Sequence, residues 1–187
     1  MVDTPLSRIP RDQLPEEFGL AWDTLNGLTG EPAFVEAFAN APDVLRFVMG
    51  DFYAKLFFGG RVDGKYKQLA RLYLSMTHGC ATCNKQNVPG SLEAGVSEEQ
   101  IAAITDYENG PFDEAEKAVL KYAAQVALTN PDGRVGADLY AALRQHFDDG
   151  QICELGTVMA VISGMAKLSF VLDLVEKEAY CEFAAAS

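Results

Sequence analysis

Two cysteines three residues apart, Cys80 and Cys83, lie in the segment MTHGCATCNKQN, with His78, one of the 2 histidines in the 187-residue chain, two positions upstream. Such a pair cycles between dithiol and disulfide, supplies half of a metal site, or fills core volume as small apolar side chains. A structural zinc normally takes four ligands, and no second CxxC, CxxH or HxxxH stands in the sequence, so neither a metal nor a cofactor is expected. If a helix begins at Cys80, Cys83 falls on the same face one turn later, within reach for oxidation. The unpaired amides and positive dipole end of that helix favour thiolate over thiol. A reactive dithiol is therefore the preferred reading. His78 titrates near neutral pH and would activate a sulfur if it approached one; otherwise it is a histidine stabilised at the end of the preceding helix.

The elements that must hold this pair read as helices throughout. Apolar residues recur with helical period between breakers, and no run of alternating β-branched residues appears, which makes the chain all-α. Leu69, Leu72, Tyr73 and Met76 give one apolar face in DGKYKQLARLYLSMTHG, Gly79 is placed to stop that helix, and the next helix runs from Cys80 toward Gly95. Ser97 with Gln100 reads as a capping box. Pro15, Pro32 and Pro42 sit at helix starts. The length suits one domain, 1–187, with N-terminal helices over about 12–60, a CxxC-bearing core over about 63–107 and C-terminal helices over about 112–185. Phe52, Phe57, Phe58, Tyr66 and Tyr73 are candidate pocket aromatics or plain core, Arg71 is a possible anion anchor or an ion-paired arginine, His146 reads as a surface residue, and Cys153 and Cys181 read as core.

A formal charge of -12 leaves no basic stripe for phosphates, so neither nucleic acid nor an anionic membrane surface is an expected partner. The N-terminal MVDTPLSRIPRDQLPEEF has no basic region followed by an apolar run, which points to the cytoplasm. The apolar stretch from Gln151 to Val175 carries Glu154, Lys167 and Asp173, charges that a bilayer centre penalises, so it is expected to be a core or subunit-interface helix. A helix that is apolar on most faces needs cover, and a homo-oligomer is expected.

The segment KQLARLYLSMTHGCATCNKQN, with RIPRDQLPEEF before it and FDEAEKAVLKYAAQVA and LRQHFDDGQICEL after it, resembles the AhpD-like, or carboxymuconolactone decarboxylase, family. The resemblance implies an all-helical bundle, assembly as trimers or hexamers, and, in one branch, a peroxidase-linked dithiol. It further implies Cys83 as the peroxide-reactive sulfur and Cys80 as its partner. Two departures stand out. The family motif has glutamate twelve residues before the first cysteine and histidine four after the second, where this sequence has Gln68 and Asn87. Cys80, Cys83 and Asn87 fall on one helix face, so Asn87 should reach the pocket, but primary amides hydrogen-bond without transferring protons near neutral pH. The expected function is a thiol-disulfide oxidoreductase acting on a hydroperoxide or a disulfide partner protein, with an incomplete proton relay. The alternatives are a decarboxylase-like lyase and a non-catalytic ligand-binding or redox-sensing oligomer.

Overall fold

The computed structural model describes residues 2–183, and within them the chain is all-α. The described helices are α1 (Glu16–Thr29), α2 (Ala33–Phe38), α3 (Pro42–Arg46), α4 (Gly64–His78), α5 (Ala81–Glu93), α6 (Glu98–Ala102), α7 (Glu114–Val126), α8 (Ala137–Arg144) and α9 (Asp149–Val171). Pro15 and Pro32 are the N-caps of α1 and α2, and Pro42 opens α3, where a missing N–H costs nothing. Ser97 and Gln100 form the anticipated capping box on α6; equivalent boxes, Asp113 with Glu116 and Asp148 with Gln151, start α7 and α9.

The run after α3 departs from a plain α-helix. Phe47–Phe57 is a π-helix, which brings residues five apart into register. Phe52 accordingly faces Phe57 at 6.3 Å and Tyr53 faces Phe58 at 6.1 Å between ring centroids. The stack widens the turn and presents several aromatic rings along one side of the element.

Helix α4 is the central element, packed against α5, α7 and α9. Leu74 and Ala70 join Leu120's neighbours Val119 and Ala123 of α7 and Leu155 and Met159 of α9 in the main core, all of them fully buried. A charge is buried in this region too. The Lys67 ammonium, with no exposed surface, donates to the carbonyls of Leu56 (2.7 Å) and Gly59 (2.6 Å) and pairs with Glu154 at 2.7 Å. Glu154 also accepts from the backbone N–H groups of Arg61 and Val62, so one ion pair ties the end of the π-helix, the loop after it, α4 and α9 together.

Only Gly79 and Cys80 separate α4 from α5. The Gly79 φ of +67° is the left-handed cap that ends α4, and Cys181 packs so close that a Cβ on this glycine would lie 2.7 Å from the Cys181 Cβ. The expected end of the C-terminal helices, near 185, lies outside the described residues, and within them the last helix ends earlier. Helix α9 stops at Val171, and the following segment folds back as an irregular strap over the start of α5. Thr82 N–H donates to the Glu176 carbonyl, Glu178 N–H to the Gly79 carbonyl, Glu176 N–H to Thr82 Oγ1, and Cys80 makes an isolated antiparallel bridge with Lys177. A strap held by main-chain bonds carries no helical period, which is why periodicity did not reveal it.

Candidate functional site

Cys80 is the N-cap of α5, its sulfur accepting from the Cys83 N–H at 3.2 Å, and the two cysteines are joined as a disulfide with Cα atoms 5.2 Å apart. Cys80 is 1% exposed whereas Cys83 is half-buried, so the second sulfur is the more accessible. Both line a cavity of about 630 Å³, a size suited to a small organic ligand. Its floor is built from two helical faces. Gln68, Arg71, Ser75 and His78 follow one another along α4 at spacings of three, four and three, and Cys80, Cys83, Asn87 and Gly90 do the same along α5. The two helices run back on each other at Gly79, which brings the Gln68 amide against Gly90: a Cβ there would lie 3.2 Å from Gln68 Nε2.

All five residues singled out from the sequence, Cys80, Cys83, His78, Gln68 and Asn87, line this one cavity. Three of them present buried polar atoms without a hydrogen-bond partner among the described residues: Gln68 Oε1, Asn87 Oδ1 and His78 Nδ1. Orphaned groups of this kind are rare in protein interiors; the others among the described residues are Asn84 Oδ1, Ser91 Oγ and Ser163 Oγ.

His78 does not form the thiolate–imidazolium pair. Its Nε2 accepts the backbone N–H of Leu128 at 2.9 Å, which makes Nδ1 the protonated nitrogen of a neutral ring, and neither nitrogen is hydrogen-bonded to a sulfur. Burial pushes its pKa from 6.5 down to about 4. The histidine is a neutral donor near the dithiol rather than a base.

Among the described residues Arg71 makes no ion pair. It is 5% exposed, lines the cavity, and has its guanidinium 5.4 Å from the Tyr53 ring and 5.2 Å from the Phe57 ring. The aromatic candidates divide. Phe52 and Phe58 line the cavity and Phe57 lies under Arg71, whereas Tyr66 packs edge-on to Phe147 and Tyr73 to Tyr107, both away from the site. Tyr53 was not anticipated; neither were the walls from α1 and α9, such as Leu25 and Met165, because their proximity to the cysteines is purely tertiary.

The other two cysteines also divide. Cys181 is buried beside Cys80, its thiol donating to the His78 carbonyl at 3.0 Å. Cys153 is exposed, contrary to its reading as core, because α9 buries one stripe against α4 and α7 and leaves apolar residues on its outer side. His146 is exposed, as read from its place at a helix end.

The fold is that of AhpD-like helical proteins. Residues 42–125 match the carboxymuconolactone decarboxylase family, a span that includes α4, the CxxC and α5. Over 140 residues the chain is 24% identical to the uncharacterized protein YdfG of Bacillus subtilis (strain 168), covering 74% of this chain and 92% of YdfG. A peroxidase-related AhpD-core protein from Ralstonia eutropha JMP134 superposes with TM-score 0.72 at 16% identity, covering 97% of this chain and 96% of that one. The debrominase Bmp8, in complex with 2,3,4-tribromopyrrole, superposes with TM-score 0.74 at 14% identity, covering 95% and 93%. The matched segment is similar to that family, and the superpositions show that the whole chain has the AhpD-like fold.

Proposed function

We propose that this protein is a thiol-disulfide oxidoreductase whose Cys80–Cys83 dithiol reduces a small organic substrate, hydroperoxides among them, at a rate limited by proton transfer. Family and neighbours support the coarser class, peroxidase-related or decarboxylase-like. The observation that carries the finer reading is a disulfide-forming pair at a helix N-terminus set in the wall of an apolar cavity. The accessibility of Cys83 suits it to react first. Its thiolate attacks a peroxide oxygen; an S–O bond forms, the O–O bond breaks, and the alkoxide leaves and takes a proton. The Cys80 thiol then attacks the Cys83 sulfenic acid, an S–S bond forms and water leaves. Two electrons have passed to the peroxide, and an external dithiol restores the pair. The reading sets the protein in the cytoplasm, where thiols are kept reduced.

Gln68 and Asn87 occupy the places of the family's acid and base, and as amides they orient groups by hydrogen bonds without moving protons. The same feature weighs against the lyase. Proton abstraction next to a carbonyl needs a base, and the lone pair of His78 Nε2 is engaged by Leu128.

The Bmp8 superposition favours one further substrate type, a brominated aromatic ring. In that case the dithiol supplies two electrons, C–H replaces C–Br, bromide and a proton leave, and the same disulfide forms. A coupled turnover assay with cumene hydroperoxide and with 2,3,4-tribromopyrrole, each with dithiothreitol as reductant, tests the reading. Turnover with one or both is expected, and Cys83→Ser abolishes it. Unchanged turnover in Cys83→Ser, or none in the wild type, contradicts it.

A further inference from the structure

We infer that Arg71 is the anion subsite of this cavity, and that the substrate is an amphipathic organic anion: an apolar body with one acidic group, carboxylate or similar, paired to Arg71. The inference rests on the cavity being the dithiol's substrate site. Arg71 is a buried cation with no hydrogen bond or ion pair among the described residues; its neighbours are the π-faces of Tyr53 and Phe57. Two rings hold a guanidinium in place and contribute a modest attraction, yet leave its five N–H donors free. A buried charge normally has a carboxylate partner, because desolvation without one is costly. Here the partner position opens onto the cavity.

The carboxylates around the same cavity do not fill that role. Glu17 is engaged by Arg46 at 2.7 Å and Glu31 by Arg8 at 3.0 Å, while Glu93 is exposed near the end of α5. The remaining walls are apolar side chains, including Leu25, Phe34, Met49, Phe52, Ile162 and Met165. An anion held by Arg71 would sit seven positions along α4 from His78, roughly 10 Å of helix rise from the end of the helix that leads into the dithiol. A medium-length apolar body spans that gap and fills the apolar walls. A guanidinium matches a carboxylate with two parallel hydrogen bonds, which gives both affinity and orientation. Cys83 lines the same cavity.

The test is calorimetric titration of the oxidised protein with octanoate and with octan-1-ol, which share an apolar body and differ in charge. Octanoate is expected to bind at least tenfold more tightly than octan-1-ol. Arg71→Met is expected to remove that preference, and Arg71→Lys to retain part of it. Equal binding of the two ligands by the wild type, absence of binding by either, or a preference that survives Arg71→Met overturns the inference; should Arg71→Met not fold, the wild-type and Arg71→Lys comparisons still decide. The double change Cys80→Ser with Cys83→Ser separates the two proposals. It abolishes dithiol turnover but keeps the octanoate preference. Turnover without an anion preference removes the subsite and leaves the redox reading; an anion preference without turnover does the reverse.

Discussion

The two amides at Gln68 and Asn87 set the chemistry that the cavity can support. Each places an unpartnered carbonyl oxygen in the buried wall, and under the proposed function they stand where the motif that the sequence resembles has an acid and a base. Gln68→Glu with Asn87→His is expected to raise hydroperoxide turnover by more than the sum of the single changes, toward the roughly 10²- to 10⁴-fold that general acid–base catalysis contributes. Steady-state rates of the four variants check this. His78 gives a pH prediction. Its pKa falls from 6.5 to about 4 on burial, so the unfolded chain takes up a proton at a pH where the native chain does not. Stability from this residue is complete above about pH 6.5 and is lost as pH falls toward 4, on the order of 3 kcal/mol in all. Urea unfolding at pH 7.5 and pH 4.5 should show a smaller pH-dependent loss in His78→Gln than in the wild type. An equal loss means His78 is not the group responsible. That Cys80, Cys83 and Asn87 share one helix face was legible from spacing, whereas Gln68 was singled out only by the motif that the sequence resembles; all of them line the same cavity. The direction of His78 was not legible, because its partner Leu128 lies on the other side of the core.

Among the elements, the junction of α4 and the π-helix depends on one buried ion pair. Burial pushes the Glu154 carboxyl up, but the Lys67 ammonium and the Arg61 and Val62 amides outweigh it and hold it below its ordinary value. Lys67→Met leaves Glu154 without its cation and two carbonyls without their donor, and is expected to destabilise by about 3–5 kcal/mol, measured by urea unfolding. The helix starts were legible from local chemistry: proline at the first position, or a capping side chain three residues before a glutamine. The π-helix was not, because its apolar pattern satisfies an α-helix nearly as well, and its rings meet at both four- and five-residue spacings. The strap over α5 was invisible for a different reason. Its bonds join residues about 95 apart in sequence, Glu176 and Glu178 to Thr82 and Asn84, and leave no local signature.

For the whole molecule, the long helix α9 decides the state of assembly that we propose. Its most apolar window is only 33% buried within the chain, and Val171, Leu168 and, from the π-helix, Phe58 stand exposed. A second copy of the chain covering this surface would complete the burial that a single bundle leaves undone. Light scattering at micromolar concentration should report a mass of at least two chains, and Val171→Glu should lower it. A monomeric wild type contradicts the proposal. The expectation of an oligomer came from the same feature in the sequence, a helix apolar on most faces; which face would stay open was settled only by the packing of α9 on α4 and α7.

The central claim is that Cys80 and Cys83 are the reacting pair, and the exposed Cys153 is its strongest competitor. Fully reduced protein treated with one equivalent of cumene hydroperoxide per chain, followed by thiol counting and peptide mapping, decides between them. The prediction is a loss of two thiols per chain, a Cys80–Cys83 linkage in the map, and full recovery with dithiothreitol, unchanged by Cys153→Ser. Oxidation that falls first on Cys153 or Cys181 while the Cys80 and Cys83 thiols remain would contradict it.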